Sequence, residues 1–194
     1  MRTASIERNT KETKIHLELN LDGSGIYEID TGIGFFDHML TQIARHGLLD
    51  LKLRAVGDLE IDSHHTVEDI GIVLGQAIKK ALGEKQGITR YGNAYVPMDE
   101  ALALAVIDLS GRSFLRFQAE LGKGHLNNFD LEMVEEFFRA VASQAEMNLH
   151  LHLIDGANTH HCAEAIFKAF GRALAMAVKL DERITGVPST KGIL

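Results

Sequence analysis

The sequence predicts an α+β protein built as a tandem repeat of one small unit, a mixed β-sheet packed against two helices, with the first unit over 1–84 and the second over 85–194. Three observations carry this. Stretches with the two-residue apolar period of strands alternate with stretches of helical spacing. The order strands, helix, strand, helix occurs twice. The last helical stretch, moved back by 96 positions, lays His160 on His64, His161 on His65, Glu164 on Glu68, Ile166 on Ile70, Gly171 on Gly75, Ala173 on Ala77 and Ala177 on Ala81. Seven of nineteen positions agree, where about one would by chance. No Pro/Ser/Gly-rich spacer marks the seam near Gly83–Gln86, so the two copies are expected to share a core.

Lys14 to Leu21 alternates polar and apolar residues without a break, as a strand with one buried face does. Asp22-Gly23-Ser24-Gly25 is a turn cluster, after which Gly25 to Asp30 is expected to return as the second arm of a hairpin. Phe36, Met39, Leu40, Ile43 and Ala44 mark a helix over Phe35–His46, with Gly47 as its stop. Leu49, Leu51, Leu53 and Ala55 alternate with polar neighbours in a further strand, and Ile70, Val73, Leu74, Ala77, Ile78 and Ala81 line a longer helix. In the second half, Ala101–Leu109 and Ser113–Gln118 read as strands, Leu131–Met147 as a helix, Leu149–Ile154 as a strand and His161–Leu180 as a helix.

Composition narrows the function. At 45% hydrophobic and 24% charged, with 2 Pro against 18 Gly, the 194 residues are those of a compact globular chain, not of a disordered or collagen-like one. No apolar run reaches the length of a membrane span, and the N-terminus has no apolar signal core, so a soluble cytoplasmic protein is expected. A single cysteine, Cys162, cannot make an internal disulfide. A net charge of -7 without a basic run argues against nucleic acid as a partner. The ten histidines are the anomaly.

Four of those histidines form the sharpest signal: His64-His65 with Glu68, repeated as His160-His161 with Glu164, near the start of each long helix. If all three residues lie on the helix, 100° per residue puts the carboxylate between the two imidazoles in projection. If instead Thr66 is the N-cap, with Asp69 at its third position, the first pair of histidines precedes the helix. Imidazole and carboxylate without thiolate suit an open site for Mn²⁺, Fe²⁺, Co²⁺ or Zn²⁺, not a closed structural zinc site. One His-His pair alone is more often a solvated helix start; its repetition with the same glutamate reverses that balance. Overlaying the two shorter helices sets His38 opposite Glu136, which makes both further candidate ligands. His46 is weaker, and His16, His125, His150 and His152 read as polar strand-face or loop residues outside the site.

Basic residues at element ends suit an anion: Arg90, Arg112, and the tail Pro188-Ser189-Thr190-Lys191-Gly192, which combines hydroxyls, an ammonium and approachable backbone N–H groups. Each alone is commonly surface charge. Lys168 also forms an ordinary i,i+4 pair with Glu164.

Phe36-Asp37-His38-Met39-Leu40, Asp62 to Asp69, Pro97-Met98-Asp99-Glu100-Ala101, Asp108-Leu109-Ser110-Gly111-Arg112 and Pro188 to Gly192 together resemble the imidazoleglycerol-phosphate dehydratases, in order and over almost the whole chain. The resemblance implies a hydro-lyase of histidine biosynthesis, a tandem repeat with two Mn²⁺ ions per active site, and a 24-subunit homo-oligomer with sites shared between subunits. It implies His38, His64, His65, Glu68, Glu136, His160, His161 and Glu164 as metal ligands, with Glu135 the alternative to Glu136. Glu12 would do acid/base work, with His65, Glu68, His161 and Glu164 also at the catalytic centre. His38, His46, His64, Arg90, Arg112, Lys168, Ser189, Thr190 and Lys191 would contact the phosphorylated imidazole substrate.

The hydrogen lost in that dehydration sits on a carbon with no adjacent carbonyl to acidify it. An imidazolate held by two metals offers another route, expelling the adjacent hydroxyl to give a diazafulvene before the proton leaves. Two other classes stand beside the dehydratase reading. A metal-holding structural assembly accounts for the histidines but not for Arg90, Arg112 and the tail; a metal-dependent hydrolase would act on esters.

Overall fold

The computed structural model describes all 194 residues, Met1–Leu194. The first half runs β1 (Thr3–Asn9), β2 (Thr13–Asn20), β3 (Tyr27–Asp30), α1 (Gly34–Gly47), β4 (Asp50–Gly57) and α2 (His64–Leu82). The second runs β5 (Tyr91–Met98), β6 (Ala101–Asp108), β7 (Phe114–Gln118), the short β8 (His125–Leu126) and β9 (Phe129–Asp130), α3 (Met133–Ala145), β10 (Asn148–Asp155) and α4 (Thr159–Val178). The two four-stranded sheets are ordered β1-β2-β4-β3 and β5-β6-β10-β7. In both the last strand pairs in parallel and the other pairs are antiparallel, so the mixed sheet is duplicated strand for strand.

That topology corrects one expectation. Tyr27–Asp30 does not return along β2 as a hairpin arm; it crosses to the far edge and runs parallel to β4, Tyr27 opposite Leu51 and Asp30 opposite Arg54. Asp50 fixes the crossing, because its Oδ1 accepts the backbone N–H groups of Ser24 at 2.8 Å and Ile26 at 3.0 Å. β1 and β5 are strands that the apolar pattern does not announce. Each is an edge strand with one half-apolar face, and the inward side of β5 begins with Gly92 and Ala94, which carry almost no hydrophobic signal.

The four helices lie between the sheets, and 54 buried side chains form one cluster spanning both halves, so the core is shared. α1 packs beside α4 and α2 beside α3, each pair joining one helix from each half. Both pairs run parallel, and glycines set how closely they approach. A Cβ on Gly171 would crowd the Ile43 carbonyl oxygen at 2.9 Å, and one on Gly75 would meet the Val141 carbonyl oxygen at 2.7 Å. Close parallel packing brings the helix N-termini of a pair to the same end of the molecule. The inserted segment before α3 has no counterpart in the first half; its buried Phe129 stacks on Phe36 with ring centroids 5.5 Å apart.

Candidate metal centre and anion site

The histidine doublets lie within their helices, in the first turns of α2 and α4. Thr66 is therefore not a cap: its hydroxyl is buried against Gly57 without a hydrogen-bond partner. Asp69 reaches away from the helix start, accepting the Thr13 hydroxyl at 2.5 Å and pairing with Arg8 at 2.9 Å. At α4 Asn158 is the cap, its side-chain oxygen accepting the His161 N–H at 3.2 Å.

Where α1 meets α4, His38, His160 and Glu164 converge, their ligand atoms all within 4.8 Å of one another. His38 Nε2 and His160 Nε2 each stand 3.0 Å from Glu164 Oε2, while Lys168 Nζ takes Oε1 at 2.5 Å. Burial pushes the Glu164 carboxyl up, but Lys168, His38 and His160 outweigh it and hold the group at about 2. A carboxylate kept ionised between two Nε2 atoms, one side open to solvent, is a donor set that fits a divalent ion with free coordination positions.

The mirrored group, where α2 meets α3, is looser. His64 Nε2 is 3.5 Å from Glu68. Glu136 lines an open groove with His64, but its carboxylate leans toward Arg139 at 3.5 Å. Glu135 is held by the same arginine at 2.5 Å. The eight predicted ligands thus split into a closed trio, an open trio, and the outward pair His65 and His161.

That outward pair has carboxylate neighbours. His65 Nδ1 lies 2.9 Å from Asp58 and 3.9 Å from Glu12; His161 Nδ1 lies 2.8 Å from Glu100. The hydrogen bond to Asp58 raises His65, and that to Glu100 raises His161, above the ordinary histidine value. In return His161 and the backbone hold Glu100 down at about 2. The family resemblance implied Glu12; neither it nor the residue pattern singled out Asp58 or Glu100 as site residues. The only signal for Glu100 is positional: it directly precedes β6 as Glu12 directly precedes β2.

His46 lies partly buried, its imidazole pushed down by burial and by the nearby Lys168 and Arg172 charges. The remaining basic residues gather elsewhere. Arg90, in the left-handed region at φ 69°, grips Asp108 through Nε at 2.7 Å and Nη2 at 3.2 Å, and donates from Nη1 to the Pro188 carbonyl at 2.9 Å. Three of its five N–H donors are thus engaged within the chain, where it docks the tail. Arg112 is exposed beside Gly111, whose Cα faces the end of that tail at Leu194. The Ser189 hydroxyl accepts the Lys191 N–H at 3.2 Å, and Thr190 is exposed between them. Arg90 and Glu100 stand at opposite ends of β5, which at about 3.3 Å per residue is about 25 Å long. The metal end and the anion end of one chain are thus far apart.

Known proteins resemble this chain over its whole length. The family model for imidazoleglycerol-phosphate dehydratase matches residues 31–174. The chain belongs to that family. The imidazoleglycerol-phosphate dehydratase of Streptococcus mutans is 60% identical over 194 residues, covering all of both chains. That of Acetivibrio thermocellus is 61% identical over 193 residues, all of this chain and 99% of the relative. The crystal structure of the Staphylococcus aureus dehydratase superposes with a TM-score of 0.84 at 44% identity, covering 92% of this chain and 99% of that one. The Pyrococcus furiosus structure follows at 0.81 and 38%, covering 97% and 100%. Family membership makes the protein an enzyme, a hydro-lyase. No helix is long and apolar enough to cross a membrane.

Proposed function

We propose that the protein dehydrates imidazole glycerol phosphate to imidazole acetol phosphate in histidine biosynthesis, with two Mn²⁺ ions at each active site. The observation that carries this is the His38/His160/Glu164 trio, a preformed imidazole and carboxylate group at the helix ends of a chain that belongs to the dehydratase family. His38, His160 and Glu164 would hold one set of metal contacts, and His64, Glu68, Glu136, His65 and His161 the rest. When bound, the ions supply Lewis-acid stabilisation of a deprotonated imidazole ring.

The chain's own residues do the remaining work. Lys168, at 2.5 Å from Glu164, holds that carboxylate in place and ionised. Glu12, exposed beside His65, would move a proton at the substrate's carbon, while its neighbour Asp58 occupies His65 Nδ1. The substrate route is the one its carbon skeleton asks for, an electron-rich ring expelling the adjacent hydroxyl as a diazafulvene forms. Arg112, Ser189, Thr190 and Lys191, beside the Arg90 clamp, would bind the phosphate and so fix the pose.

About 25 Å of strand separates that anion end from Glu100, far more than a three-carbon phosphate bearing an imidazole can span. We therefore infer a homo-oligomer, a 24-mer by family resemblance, in which the metal end of one copy meets the anion end of another. The exposed Tyr95, Val106 and Phe114 on the second sheet suit burial in such an assembly. The halves 1–84 and 85–194 are read as copies of one ancestral unit, and the cytoplasm as the working compartment. The test is turnover of imidazole glycerol phosphate by chelator-stripped protein with and without added Mn²⁺. Manganese-dependent formation of imidazole acetol phosphate is expected; metal binding without turnover would contradict the reading and favour a structural metal assembly.

A further inference from the structure

Each half carries a carboxylate directly before the second strand of its sheet, Glu12 before β2 and Glu100 before β6. Each stands beside the outward histidine of its half. Their engagements differ. Glu100 Oε2 is 2.8 Å from His161 Nδ1, and Oε1 accepts the backbone N–H groups of Asn158 at 2.7 Å and Ala157 at 3.3 Å. Glu12 stands 3.9 Å from His65 Nδ1, beyond hydrogen-bonding reach. The His65 nitrogen is taken instead by Asp58, at 2.9 and 3.2 Å from its two oxygens. Asp58 directly follows β4; the residue directly following β10 is Gly156, which has no side chain to offer.

We propose that the duplicated carboxylate has been divided between two tasks: Glu100 is a positioning residue that fixes His161 with Nδ1–H inward and Nε2 outward for a metal ion, while Asp58 does the same for His65 and leaves Glu12 free to transfer a proton. This rests on the reading of His65 and His161 as metal ligands. An ionised carboxylate only accepts, so in the neutral ring the nitrogen facing it must carry hydrogen and the other must keep its lone pair. Such an outer carboxylate orients a ligand histidine and makes it more basic toward metal. Glu100 is tied by its two backbone bonds to the loop before α4, and Asn158 of that loop also caps the His161 N–H, so one short segment sets both the helix start and the ring. A proton carrier must change partners during turnover. Three accepted hydrogen bonds deny that freedom to Glu100, and the separation from His65 grants it to Glu12.

Glu100→Gln keeps the side chain's shape but can turn an N–H₂ group toward His161, which then accepts at Nδ1 and carries hydrogen at Nε2. Histidine ¹⁵N NMR of metal-free protein at alkaline pH, with the His161 signal identified by its loss in His161→Gln, reads that tautomer directly. Titration of free Mn²⁺ by electron paramagnetic resonance reads the affinity. Glu100→Gln is expected to move His161 to the Nε2–H form and to weaken Mn²⁺ binding about 10- to 100-fold, while Glu12→Gln changes neither. Parental tautomer and affinity in Glu100→Gln would overturn the proposal, as would a changed His65 tautomer in Glu12→Gln. A parent protein that binds no Mn²⁺ would overturn the metal reading beneath it, and is told apart because failure of the proposal itself leaves parent and variant binding Mn²⁺ equally well.

Discussion

The two halves share a topology but differ in what they expose and what they bury. Across the outer face of the first sheet, Glu7, His16, Arg54 and Asp30 lie in one row, and Ser5, Glu18, Lys52 and Glu28 in the next. The matching rows of the second sheet are Tyr95, Leu104, His152 and Gln118, then Asn93, Val106, His150 and Arg116. The first face is charged; the second carries a single full charge, Arg116, among histidines, amides, Tyr95, Leu104 and Val106. Beneath the Glu12 turn lies the Arg8–Asp69–Thr13 cluster; the corresponding places in the second half are Val96, Ala165 and Ala101. Duplication preserved the alternation that buries one face of each sheet, because losing it would cost the core. It left outward positions and turns free to diverge, and there the halves have become different.

Exchanging acids at the two matching turns breaks the comparison most sharply. Glu12→Gln is expected to lower kcat about 100-fold or more with Mn²⁺ content intact; near-normal kcat would remove Glu12 from the proton transfer.

A smaller effect tests the frame beneath. Gly92, on the inner face of β5, lies so close to α4 that a Cβ would overlap the Ala173 carbonyl oxygen, whereas Ala4 occupies the matching place in β1. Gly92→Ala should cost about 2 to 3 kcal/mol through forced displacement of α4, and Ala4→Gly about 0.5 to 1 kcal/mol through backbone entropy. Denaturant unfolding of both variants checks this; equal costs would show that the two helices sit at the same distance from their sheets.

The smallest effect is on pH dependence and concerns the outward pair. Hydrogen bonds to Asp58 and Glu100 raise His65 and His161 in the folded protein. In metal-free protein the stability this confers is complete below the unfolded value of about 6.5 and is lost as pH rises through the raised folded values. Mn²⁺ requires unprotonated rings, so its affinity should run the other way and begin to fall while pH is still above about 6.5. Melting curves of stripped protein, set beside Mn²⁺ titrations over the same pH range, separate the two trends; affinity constant down to about 6.5 would contradict the assignment of this pair.

Much of this was legible in the residues. The doublets stood out because they occur twice with the same glutamate, and overlaying the helices that precede them picked out His38, which the fold does bring to His160 and Glu164. Glu136 is placed near the matching group, with its carboxylate drawn toward Arg139 by a charge contact that spacing does not reveal. The parallel pairing of Tyr27–Asp30 was hidden because a four-residue strand carries no sign of which neighbour it joins; the Asp50 contacts that decide it are long-range. Glu100 was missed for a different reason. The separation of matching residues is 88 at Glu12 and Glu100 but 96 at His64 and His160, because the inserted segment around Phe129 falls between them. A single offset aligns the helices and misaligns the turns.

Both halves carry their candidate ligands at one end, and Arg112 and the tail lie at the other. The most direct test of the account is to co-express two variants, His160→Ala and Arg112→Ala, in one assembly. Each alone should be nearly inactive, the first for want of metal and the second for want of phosphate binding. Mixed assemblies should regain turnover, because some sites then receive an intact metal end from one copy and an intact Arg112 from another. Mixed assemblies as inactive as both parents would contradict the account and require each chain to bring its own two ends together.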